Sequence, residues 1–185
     1  NYSTSGYSMC KFMDDTKSGS SDLKYKQQNN ETDAPILRYA EVLLNYAEVC
    51  YELGTLTQAD LNKSINLVRA RKSVGLPNLE MMGDQPAVNG KVYDDPKRDP
   101  SVPSLLWEIR RERRVELCFE GLRYSDLKRW KKLEYMCNTY NPDIRFGAYI
   151  TYKDYPKANK TEVYIDNGAD EGYILCNRGT ARQAP

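Results

Sequence analysis

The chain has 185 residues, with 27 Lys and Arg against 26 Asp and Glu, a net charge of +1 and no histidine. So even a balance offers no global field to nucleic acid or an anionic membrane. The missing imidazoles remove Ser/His and Cys/His nucleophile pairs, His-ligated zinc or iron, and imidazole acid–base work.

At this length one domain with its own core is expected, spanning residues 1–185. No apolar run reaches the roughly 18 residues that a membrane-spanning helix needs. The start, Asn1-Tyr2-Ser3-Thr4, has neither the basic nor the apolar region of a signal peptide, which suggests a cytosolic protein or a mature or shortened chain. The cysteines Cys10, Cys50, Cys118, Cys137 and Cys176 form no Cys-x-x-Cys pair, so no thiolate zinc site is expected. Cys50 and Cys118 fall in helical patterns and read as buried, inert thiols.

Residues 1–34 are polar and aperiodic, a loop with a short strand around Ser8–Met13. Ile36–Leu53 is the first strong helix. Ile36, Ala40, Leu43, Ala47 and Cys50 form one apolar stripe, and Tyr39, Val42, Tyr46, Val49 and Leu53 form a second beside it. Two stripes predict a helix covered on more than one side. Asp33 with Pro35 would open it and Gly54 would close it. A second helix is expected from the turn at Thr55–Thr57 to about Val74, with Leu61, Ile65 and Val68 inward and Arg69, Arg71 and Lys72 in its last turn. Residues 76–103, rich in Pro and Gly, read as a long irregular break.

Ser104 is the expected cap of a second helical pair, Leu105–Phe119 and Leu122–Met136, broken at Gly121. The tail, residues 138–185, is rich in Tyr, Asn, Asp and Gly and reads as loop with short strands such as Glu162–Ile165. The expected fold is mainly α: tetratricopeptide-like αα-hairpins at about 35–74 and 104–136, long irregular loops and a few short strands.

The densest chemistry lies between Ile109 and Gly121. Glu112, Glu116 and Glu120 stand four apart on one helical face, where like charges repel unless cations neutralise them. Leu105, Ile109, Glu112, Glu116 and Phe119 share a four–three spacing, which puts two carboxylates on the core stripe, and buried carboxylates need partners. Arg113, Arg123 and Arg129 are the cations suggested by proximity, with Asp126 completing the network. The bland reading, an ion-pair clamp between helices, competes with three others. Paired carboxylates among Glu112, Glu116 and Glu120 could serve as a glycosidase acid and nucleophile. A carboxylate-bridged di-metal centre normally takes Glu-x-x-His, and histidine is absent. A nucleic-acid grip is cancelled by the alternating Glu.

Two long motifs carry a family resemblance. Pro35-Ile36-Leu37-Arg38-Tyr39-Ala40-Glu41-Val42-Leu43-Leu44-Asn45-Tyr46-Ala47-Glu48 is followed by Ile65-Asn66, Val68-Arg69 and Arg71. Ile109, Glu112-Arg113, Glu116-Leu117, Glu120-Gly121, Arg123, Asp126-Leu127 and Arg129-Trp130 form the second, and Gly6-Tyr7 with Lys11-Phe12 precede both. In this order they resemble the C-terminal region of SusD/RagB proteins, surface lipoproteins of the Bacteroidetes outer membrane.

The resemblance implies a non-catalytic protein without a cofactor or metal, anchored only through a lipid absent from this chain. It would bind an oligosaccharide or peptide nutrient and pass it to a SusC-like TonB-dependent transporter. Set against that resemblance, the chain reads as a fragment or shortened member, without the lipidated cysteine and the large N-terminal part where the family's glycan sites mostly lie. A second class of function, a helical scaffold that binds a protein and no small ligand, is also compatible with the two hairpins. If a ligand surface is present, Tyr149, Tyr152, Tyr155 and Tyr164 are its candidates, with Tyr140 and Tyr173 nearby, because ring faces stack on sugars and hydroxyls bond them. The alternative is that these tyrosines only anchor irregular segments. A calcium loop at Asp166–Glu171 is disfavoured because Glu171 stands where glycine is needed.

Overall fold

The first motif runs into α1 (Tyr39–Glu52), a helix of 14 residues. In this computed structural model the described residues are Tyr7, Lys11, 35–154 and 171–175. The chain divides into two units, residues 17–123 and residues 1–16 with 124–185.

In the first unit, α1 starts later than Ile36, with Arg38 in an extended conformation just ahead of it. The expected cap Asp33 lies outside the described residues. At the other end Gly54 takes φ +68°, which lets the Thr55 N–H reach the Cys50 carbonyl at 3.0 Å. The predicted second helix forms in two pieces, α2 (Gln58–Lys63) and α3 (Ile65–Arg69). Thr57 and Asp60 close a capping box at its start. Ser64 breaks it: its Oγ donates to the Asp60 carbonyl at 2.6 Å, and its backbone leaves the helical region.

The supposed irregular break holds a three-stranded antiparallel sheet, β1 (Glu80–Met82), β2 (Gln85–Val88) and β3 (Lys91–Val92). Its two-residue turns are Gly83-Asp84 and Asn89-Gly90, with Gly83, Asn89 and Gly90 at positive φ. These are the dipeptides that tight hairpins favour, because the left-handed backbone matches the twist of the strands.

α4 (Ser104–Glu116) is capped by Pro103, not Ser104, whose hydroxyl donates to Asp94 at 3.0 Å. It ends before the predicted Phe119, which has φ +65°, and Gly121 at +79° follows. Cys118 therefore sits past the helix end and is exposed, and Cys50 is only half-buried, so neither is the sequestered thiol that periodicity suggested.

Leu44 and Ala47 of α1 pack with Leu61, Ile65, Leu79, Leu105, Ile109 and Leu117 into the core of this unit. Only one α1 stripe is covered. Ala40, Leu43 and Ala47 are buried, whereas Tyr39, Val42, Tyr46, Val49 and Leu53 are 44–71% exposed. That overturns the expectation of a helix covered on both stripes.

In the second unit the predicted helix Leu122–Met136 becomes α5 (Arg123–Arg129) and a separate 3-10 turn, Leu133–Met136, divided where Lys131 adopts φ +56°. A positive φ cannot propagate a right-handed helix. Farther on, β4 (Phe146–Thr151) and β5 (Glu171–Leu175) pair antiparallel, with Tyr149 opposite Tyr173 and Thr151 opposite Glu171. The strand expected at Glu162–Ile165 lies outside the described residues. The fold is thus helical with a few short strands, and each helical arm after α1 and α4 is shorter than the repeat pattern predicts.

Candidate functional site

The carboxylate row of α4 runs one turn farther back than the sequence reading placed it, to Glu108. The Glu108 side chain is 2% exposed and that of Glu112 9%. Charges this deep are tolerated only when paired and hydrogen-bonded. Arg69, from the end of α3, supplies one partner. Its Nη1 lies 2.7 Å from Glu112 Oε1 and 3.8 Å from Glu108 Oε1, while its Nε donates to the Pro77 carbonyl at 2.6 Å. Arg111 grips Glu108 with a two-pronged contact at 2.7 and 2.6 Å and reaches Glu112 at 3.2 Å. The Tyr93 hydroxyl also bonds Glu108. Burial first, and that contact second, push the Tyr93 phenol well above its ordinary range. Burial likewise raises the Glu112 pKa, against the pull of Arg69 and Arg111.

The other end of the row is wetter. Arg38, immediately ahead of α1, donates through Nε and Nη2 to the two oxygens of Glu120 at 2.9 and 2.5 Å. Its Nη1 lies 2.9 Å from Glu116, and Arg71 pairs with Glu116 as well. Between the two ends Arg113, itself buried, donates to Asn45 at 2.7 Å and lies 3.9 Å from Glu41. Arg110 lies 3.4 Å from Glu52 near the far end of α1. The pairs run in opposite order along the two helices, so α1 and α4 are antiparallel and zipped by charge beside their apolar seam.

Proximity in sequence suggested Arg113, Arg123 and Arg129 for this row, and it missed Arg38, Arg69 and Arg71. In the second unit Asp126 is buried and accepts from Arg129 at 3.0 Å within α5; Arg123 opens that helix. Glu108 was findable, because it extends the four-residue spacing by one turn. The arginines lie 43 to 82 residues from their partners in the chain, and helical periodicity carries no information at that range.

Chemically the row is saturated. Glycosidic catalysis asks for one carboxylic acid and one carboxylate facing an open sugar site, whereas Glu108, Glu112, Glu116 and Glu120 all face guanidinium groups. Among the described residues no three or more His, Cys, Asp and Glu side chains cluster so as to hold a metal ion. No helix among them is long and apolar enough to cross a membrane.

Of the tyrosine candidates, Tyr149 and Tyr152 are in view, and Tyr155 and Tyr164 lie outside the described residues. Tyr149 meets Tyr173 edge to face at 5.1 Å between ring centres, and Phe146 stacks on Tyr173 at 5.4 Å. Tyr152 is half-buried at the end of the same hairpin.

The arginine–glutamate row and the α1 motif it grips are the features that bear on ancestry. The model of the SusD family (SusD_RagB) matches residues 1–178. The chain belongs to the SusD family. No curated protein and no solved structure matches it. SusD-family proteins bind nutrients, glycans among them, at the outer-membrane surface and are not catalysts. In this chain the charged run of α4 forms the zip between α1, α3 and α4.

Proposed function

We propose that this SusD-family chain serves non-catalytic capture of an oligosaccharide at the cell surface, delivering it to a SusC-like TonB-dependent transporter. The family match over nearly the whole chain carries the reading. The saturation of the α4 carboxylates by arginine supports its non-catalytic side. The charged row is a scaffold in this reading, and the ligand surface belongs to the tyrosine-bearing tail, where Tyr149, Tyr152, Tyr155 and Tyr164 are the proposed contacts. Attachment to the membrane would come through a lipid and not a spanning helix.

The test is calorimetry of the chain against oligosaccharides and peptides, with co-purification of the chain and a TonB-dependent transporter from cells. Sugar binding together with recovery of the transporter is the expected result. Binding of neither sugar nor peptide would defeat the reading.

One observation favours a second reading, a helical scaffold for a protein partner. The outer face of α1 presents Tyr39, Val42, Tyr46, Val49 and Leu53 to solvent, a contiguous apolar stripe of the kind that marks protein contacts. Transporter recovery that is lost in Val42→Asp, with no response to sugar, would favour this scaffold over the nutrient reading.

A further inference from the structure

We draw no further inference here: the strongest candidate, the exposed apolar stripe of α1 formed by Tyr39, Val42, Tyr46, Val49 and Leu53, carries nothing beyond the second reading above, because nothing in the structure shows what covers it.

Discussion

The two ends of the α4 carboxylate row use the same residue types to different effect. Glu108 and Glu112, at 2% and 9% side-chain exposure, share Arg69, itself 5% exposed and bonded to the Pro77 carbonyl, while the more open Arg111 grips Glu108 from outside. Glu116 and Glu120 are somewhat more open, at 11% and 13%, and face Arg38 and Arg71, which are 18% and 41% exposed. The comparison teaches that spacing does not rank these contacts. The inner pair is expensive to break because removing one partner strands a charge out of water, whereas the outer pair falls back on solvent.

Arg69→Met is the largest expected perturbation. It leaves Glu112 without its closest cation and frees the Pro77 carbonyl, and it should cost about 3–5 kcal/mol of unfolding free energy. Denaturant midpoints at neutral pH measure this, and a loss below about 1 kcal/mol would show that the inner end is no more demanding than a surface pair. Glu116→Gln removes the charge that both Arg38 and Arg71 use, and should cost about 1–2 kcal/mol. It should lower the melting temperature without altering any turnover of sugar. Arg38→Lys keeps the charge but loses the fork on Glu120, for about 1 kcal/mol. If its cost matched that of Arg69→Met, the distinction between the two ends would collapse.

The smallest effect is in pH. The Glu112 carboxyl titrates higher in the folded chain than its ordinary 4.5, so the folded state holds the extra proton just above that pH. Its contribution to stability therefore rises on acidification through that window and falls as pH increases. Asp94 and Asp95 lie below their ordinary 3.8, Asp94 through Arg98 and Asp95 through the Trp107 indole N–H, and their contribution is lost as the pH drops beneath it. Melting curves from pH 7 to 3 should show Glu112→Gln removing the first trend and leaving the second. Parallel curves for the two proteins would contradict the placement of Glu112.

Much of the helical frame was legible. The four–three spacing located α1 and α4, and the charged run identified the residues that must pair. What it missed has named causes. Ser64 divides the second helix through a hydroxyl bond to its own preceding turn, which no apolar pattern reveals. Phe119 and Lys131 take positive φ just past the ends of α4 and α5, although neither is a residue that signals a break. The sheet at 80–92 was readable from Gly83-Asp84 and Asn89-Gly90, but the prolines around it suggested only a break. On the hairpin, Tyr149 was a candidate for its residue type; its exposure beside Tyr173 came from the register of two strands twenty residues apart.

By itself the sequence determined that α1 carries two apolar stripes, that α4 carries a row of glutamates needing cations, and that the whole resembles the SusD family, because periodicity and local spacing act within a few turns of one element. Only the tertiary structure decided which stripe is buried, which arginines answer the glutamates and which face of the hairpin turns outward. Those choices depend on elements brought together from tens of residues away, where burial sets the cost of each charge and each ring.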